Sequence, residues 1–146
     1  MRIYLDVCCY NRPFDDQLET RVRLEAEAIL IIVNRAIFGE WIIIGSSFVD
    51  YEISLMTNYE KREKVLNVYS KIAEKKPLTV DIENFAKKLT TITFKPLDAF
   101  HVASAELSGA NYFITTDMQI IKKYKGNQSL FESICINPIS FLTEVT

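Results

Sequence analysis

The sequence predicts an α/β domain with a mainly parallel central sheet, and three observations carry that prediction. Short, wholly apolar runs alternate along the chain with longer amphipathic segments, the pattern of buried strands joined by crossover helices. The 146 residues fit one domain, here residues 1–146, and leave little room for two. Hydrophobic residues at 49% and charged residues at 25% match an ordinary globular chain, which excludes a disordered tail, a collagen-like repeat and a disulfide miniprotein.

Taken in order, Ile3–Cys8 reads as a first buried strand ending near Asp6. The segment Asn11–Asp16, with Pro13 and paired aspartates, reads as a loop and a helix start. A long helix is expected from Leu18 to Phe38, stopping at Gly39. Its centre, Ile29–Val33, is apolar on every face, so it is expected to be covered on more than one side, by the core or by a partner such as a second copy. Trp41–Ile44 reads as the second strand, broken by Gly45. Ser47 with Asp50 three residues on reads as a capping-box variant opening a helix over Phe48–Met56.

A further helix is expected over Glu60–Glu74, ended by Pro77, then a small strand at Leu78–Val80. Asp81 is the expected cap of a helix with the stripe Ile82, Phe85, Ala86 and Leu89. Pro96 opens the next helix, which runs to Gly109 with many small residues suited to close packing on a sheet. Tyr112–Thr115 and Ser133–Ile136 read as strands, Met118–Tyr124 as a helix, and Pro138 onward as a terminal helix.

Net charge is −2, so a generally sticky basic nucleic-acid binder is excluded, and any such contact must use local basic patches or metal ions. Cys8, Cys9 and Cys135 have no zinc-type spacing and read as reduced, buried thiols. The longest apolar run, Ala28–Val33, is far short of the ~20 residues a membrane span needs. With no targeting signal visible, a cytoplasmic protein with no membrane contact is expected.

In parallel sheets, ligands bind beyond the carboxyl ends of the strands, and that rule singles out Asp6, Glu52, Asp98 and Asp117. Each has a structural reading when taken alone. Asp98 suits a first helical turn, Asp117 suits an N-cap, Glu52 suits a solvated surface, and Asp6 suits a turn. Together they are harder to explain that way. Two unit charges about 5 Å apart repel by roughly 3 kcal/mol at an effective dielectric of 20, and a divalent cation removes that cost. Oxygen ligands without clustered Cys or His favour Mg²⁺ or Mn²⁺.

These segments also resemble the PIN-domain family of nucleases, which includes the VapC-type toxins of toxin–antitoxin pairs. The strand ending in Asp6 resembles the family's first acid. Ser47-Phe48-Val49-Asp50-Tyr51-Glu52-Ile53 matches its serine-then-glutamate segment. Leu97-Asp98-Ala99-Phe100-His101-Val102-Ala103 resembles the helix of the third acid and is the most specific stretch. Phe113-Ile114-Thr115-Thr116-Asp117 resembles the fourth. The ordered set covers almost the whole chain. It departs in one place: Val7 and Cys8 follow Asp6, where members usually carry Thr, Ser or Asn.

The resemblance implies a three-layer α/β/α fold and a metal-dependent endoribonuclease. Asp6, Glu52, Asp98 and Asp117 would bind one or two Mg²⁺ or Mn²⁺ ions that activate water and steady the phosphate. It also implies a toxin held by an antitoxin, and a homodimer. Thr116 and Asn11 are candidate supporting residues, and Arg12, Lys122 and Lys123 (with Lys125) are candidate contacts to RNA phosphates, each with an equally simple surface reading. Asp15 and Asp16 read as helix-start residues. His101, the only histidine, shares a helix face with Asp98, but a general-base role is not expected where a metal supplies the base. Two other classes stay open: a non-catalytic interaction module on the same fold, and another Mg²⁺-dependent phosphoryl hydrolase. A phosphatase with an aspartyl nucleophile is disfavoured because Asp6-Val7-Cys8 lacks a D-x-D pattern.

Overall fold

In a computed structural model describing residues 1–146, five strands form one all-parallel sheet in the order β3-β2-β1-β4-β5. The strands are β1 (Arg2–Leu5), β2 (Ile42–Ser46), β3 (Ala73–Lys76), β4 (Tyr112–Ile114) and β5 (Ile134–Ile136). Eight helices connect or flank them: α1 (Val7–Asn11), α2 (Thr20–Ile37), α3 (Ser47–Ser54), α4 (Tyr59–Ile72), α5 (Val80–Thr90), α6 (Pro96–Leu107), α7 (Met118–Gly126) and α8 (Pro138–Val145). The expected α/β class and parallel sheet are therefore present. The sheet order reverses direction at β1, with β2 on one side and β4 on the other, which makes the carboxyl end of β1 the switch point where such sheets bind ligands.

β1 lies at the centre of the sheet, and Ile3, Tyr4 and Leu5 are wholly buried. Ile43, Ile44, Phe113 and Ile114 extend the core on either side, as residues covered on both sheet faces must.

Several local expectations need correction. The first strand stops at Leu5, not Cys8, because Asp6 caps a short helix: its Oδ1 accepts the Val7 N–H at 2.9 Å. The apolar run Val7–Tyr10 suits a strand or a buried helical turn equally, and the cap decides. β2 continues through Gly45 to Ser46 instead of breaking at the glycine. A Cβ at Gly45 would lie 2.7 Å from the Tyr69 hydroxyl, so glycine lets β2 pass under Tyr69. The cap of α3 is consequently Ser46, whose Oγ accepts from Val49 N–H at 3.3 Å, and not Ser47.

β3 occupies Ala73–Lys76, of which Ala73 and Glu74 are residues expected to finish a helix, whereas Leu78–Val80 is not a strand. As an edge strand with exposed Glu74 and Lys75, β3 lacks the apolar run that marks the other strands. Thr79, not Asp81, caps α5, accepting from Ile82 N–H at 3.2 Å. Within the single chain α2 buries Ile29 and Ile32 against the core and exposes Leu30, Ile31 and Ile37, with Phe38 exposed at its C-cap.

A buried carboxylate ties α2 to the rest. Glu25 is fully buried and accepts from Arg12 Nε at 2.9 Å, from Arg21 Nε at 3.3 Å and from the Asn137 side chain at the start of α8. Arg21 in turn donates to the Thr116 carbonyl at 2.8 Å, beside the end of β4. Removing a carboxylate from such a network strands its partners. Glu25→Ala should therefore destabilise the fold by about 3 kcal/mol, and Glu25→Gln by less, as measured by urea unfolding. Equal stabilities for wild type and Glu25→Ala would contradict this assignment.

Candidate metal and phosphodiester site

Asp6 leaves the carboxyl end of β1 and is 7% exposed. Its Oδ2 accepts the Thr115 hydroxyl at 2.7 Å and lies 3.5 Å from the Cys8 thiol. Thr115 follows β4, so the hydrogen bond joins the ends of two neighbouring strands, reinforced by Asp6 N–H donating to the Ile114 carbonyl at 3.0 Å. The Thr115 oxygen also accepts the Asp117 N–H at 3.1 Å. One hydroxyl thus fixes both the first acid's carboxylate and the fourth acid's backbone.

Glu52 comes from the second turn of α3, which Ser46 caps at the end of β2. Its Oε1 lies 3.1 Å from His101 Nε2. One ligand atom each from Asp6, Glu52 and His101 can be chosen so that all lie within 4.8 Å of one another, a spacing that a single cation can bridge. Asp98 sits half-buried in the first turn of α6. Asp117 is exposed and caps α7, its Oδ1 accepting from Gln119 N–H at 2.9 Å and Ile120 N–H at 3.4 Å. Both lie outside the tight group: Asp98 feels the charges of Asp6 and His101, and Asp117 acts on Asp98.

Burial raises the Asp6 carboxyl above its ordinary value; His101 and the Thr115 hydrogen bond oppose the rise, and Glu52 adds to it. Burial also raises Asp98, with the charges of Asp6 and Asp117 pushing the same way. No lysine or arginine forms an ion pair with any of the four acids; His101 is the one basic side chain at hydrogen-bonding distance from any of them. Two carboxyls of raised proton affinity, Asp6 and Asp98, in a group that no lysine or arginine pairs, make an electrostatic environment that suits a cation. The donor set fits a hard divalent ion, with carboxylate oxygens foremost.

The other expected residues divide. Lys123 is half-buried with its Nζ 6.0 Å from the centre of the Phe94 ring, and its charge works weakly against the rise at Asp98; Lys122 is exposed. Arg12 is engaged by Glu25 and, at 3.0 Å, by Asp15, so its charge is already neutralised within the fold. Asp15 also pairs with Lys61, and Asp16 accepts the Leu18 N–H, both serving the turn before α2. Asn11 makes no hydrogen bond to the acids; its Oδ1 is buried and unpaired. Thr116 contributes its backbone: its N–H meets Cys8 Sγ at 3.5 Å and its carbonyl accepts from Arg21.

Sequence reasoning missed Thr115 and placed the useful hydroxyl one residue late. Register decides it: Asp6 and Thr115 follow directly after the paired residues Leu5 and Ile114, a pairing of distant segments that residue type alone does not signal. Thr115 and the Cys8 thiol, 3.4 Å apart, together supply the small polar contact that Val7 does not. A cleft of about 480 Å³ lined by Phe48, Tyr51, Leu97 and Phe100 opens between α3 and α6, next in sequence to Glu52 and Asp98.

VapBC2 from Rickettsia felis, bound to a DNA fragment from its promoter, aligns with a TM-score of 0.58 over 94% of this chain and 98% of the other, at 17% identity. FitAcB from Neisseria gonorrhoeae aligns with a TM-score of 0.59 over 93% and 97%, at 14% identity. The chain has the PIN fold. No family model and no curated protein matches the sequence, so the PIN fold is legible in the shape far more than in residue identity. No helix of this PIN fold is long and apolar enough to cross a membrane.

The raised carboxyls carry a stability consequence. A group whose folded-state pKa exceeds its unfolded value favours the fold at low pH, and that contribution is lost as pH rises from the unfolded value through the folded one. For Asp98 the ordinary value is 3.8, so at neutral pH its ionised form works against the metal-free fold. Asp98→Asn should raise the melting temperature at neutral pH in chelator, and the gain should vanish in acid where Asp98 is protonated. A lower melting temperature for the variant at neutral pH would contradict the electrostatic account.

Proposed function

We propose that this protein is a metal-dependent endoribonuclease and the toxin of a toxin–antitoxin pair. The observation that carries the reading is the placement of Asp6, Glu52, Asp98 and Asp117, from four separate segments, toward one sheet edge with no lysine or arginine pairing them. A scaffold has no physical need for that arrangement, and the PIN fold of solved toxin–antitoxin complexes agrees with it.

On this reading Asp6 and Glu52, with Asp98 and Asp117, would hold one or two Mg²⁺ or Mn²⁺ ions. When bound, the cation supplies the Lewis acidity that activates water and offsets charge on the phosphodiester. The protein's part is to orient. Thr115 fixes one oxygen of Asp6, the α7 amides fix Oδ1 of Asp117 and leave Oδ2 without a protein partner, and Lys123 brings a positive charge close to the acids. Lys122 and Lys123 are the proposed contacts to the RNA backbone, and the apolar cleft at Phe48, Tyr51 and Phe100 is a proposed seat for an unstacked base. Arg12 has the weakest claim to a phosphate, being paired already.

An antitoxin and a second copy of this chain are the proposed protein partners, in the cytoplasm. The exposed Leu30, Ile31, Ile37 and Phe38 of α2 and its C-cap offer apolar surface for one of them.

Incubation of total RNA with Mg²⁺ or Mn²⁺ tests the activity. Wild type should give discrete fragments, EDTA should abolish them, and Asp98→Asn should reduce the rate at least about 100-fold. Identical lanes for wild type, variant and EDTA would refute ribonuclease activity. Release of phosphate from monoesters without polymer cleavage would move the site to another phosphoryl hydrolase.

A further inference from the structure

His101 has two incompatible uses at this site. Its Nε2 either coordinates a cation beside Asp6 and Glu52 or carries a proton that Glu52 accepts. The hydrogen bonds behind it decide between them.

Behind the ring lies a buried chain of three polar side chains. His101 Nδ1 is 2.7 Å from the Tyr4 hydroxyl, which is 2.7 Å from Ser46 Oγ. All three residues are 2% exposed or less, so no bulk water completes the chain. Ser46 Oγ already accepts the Val49 N–H, the cap of α3. Its own proton therefore has one acceptor within reach, the Tyr4 oxygen. Were Tyr4 to donate to Ser46 instead, the Ser46 proton would be left buried and unpaired, a cost the fold avoids by the opposite polarity. Tyr4 then donates to His101 Nδ1. A neutral imidazole that accepts at Nδ1 carries its proton at Nε2.

We propose that His101 is a positioning residue that donates from Nε2 to Glu52 Oε1, its tautomer imposed by the Ser46–Tyr4 relay, and that it does not ligate the cation. A protonated ring nitrogen has no lone pair to offer a metal. The relay fixes the rotamer of a half-exposed glutamate on α3 from β1, β2 and α6 at once, and it leaves Glu52 Oε2 free for the cation. The inference deepens the cation reading of Glu52, on which it rests for its purpose but not for its geometry. The Ser46 hydroxyl thereby serves twice, capping the helix that carries Glu52 and setting the ring that aims it.

One histidine in the chain makes the test direct, since every imidazole ¹⁵N signal belongs to His101. Long-range ¹H–¹⁵N correlation spectra of metal-free wild type at neutral pH should show a neutral ring protonated at Nε2. A ring protonated at Nδ1, neutral or cationic, overturns the proposal. On addition of Mg²⁺ the Nε2 proton should persist; its loss on binding would make His101 a ligand and overturn the proposal as well. Substitution supplies a second arm, read as Mg²⁺ affinity by calorimetry. His101→Gln, whose amide donor replaces Nε2, should stay within a few-fold of wild type, and His101→Leu should weaken binding about 10–100-fold. Equal losses in the two variants would reduce His101 to a packing role and refute positioning. If wild type shows the expected tautomer but binds no divalent cation, the cation reading fails while the relay stands, so the two failures are distinguishable.

Discussion

Asp6 carries its carboxylate at the end of the most buried strand in the protein, almost out of reach of water, with Glu52 close by. Placing that charge there is unfavourable, as its raised proton affinity records. The neighbouring structure reads as a response to this constraint. Thr115, Cys8 and the Val7 amide each contribute a hydrogen bond to the carboxylate, which spreads its charge but does not neutralise it. No arginine or lysine comes near enough to pair, although Arg12, Arg21 and Lys61 are spent a short distance away on Glu25 and Asp15. Glu25 is a buried acid neutralised by its arginines, whereas Asp6 is a buried acid with no such partner.

The parallel sheet explains why the acids meet. Each βα unit ends its strand at the same edge, so α1, α3 and α7 all begin beside the site, and Asp6, Ser46 and Asp117 are the residues capping them. The residues that cap these helices therefore share the edge at which the cation is proposed to bind. The Thr115 hydroxyl binds the β1 and β4 ends together, while Ser46, Tyr4 and His101 bind β2, β1 and α6 to Glu52. Two small polar networks meet at the switch point of the sheet, and both rest on residues that leave the core strands.

The sequence was informative where physics acts locally. Apolar runs located β1, β2, β4 and β5, Pro96 marked the start of α6, and the carboxyl-edge rule pointed to the acids before their positions were known. It was silent where the outcome depends on contacts distant in the chain. β3 is a polar edge strand that only pairing with β2 reveals. Gly45 reads as a strand breaker until Tyr69 is seen packed over it. Thr115 and Thr116 are indistinguishable by type, and register with β1 chooses Thr115. His101 looked like a packed helix residue because its partners, Tyr4 and Glu52, lie 97 and 49 positions away. Arg12 looked free because its partner Glu25 is in the next helix.

If the carboxylates share a divalent cation, its binding energy adds to the stability of the fold. Thermal unfolding would be followed during Mn²⁺ titration at neutral pH, for wild type and for Asp6→Asn. The account predicts that the melting temperature of wild type rises with Mn²⁺ concentration and saturates, while Asp6→Asn, already relieved of its buried charge, responds weakly or not at all. An unchanged melting temperature in wild type across the titration, or an equal rise in both proteins, would contradict it.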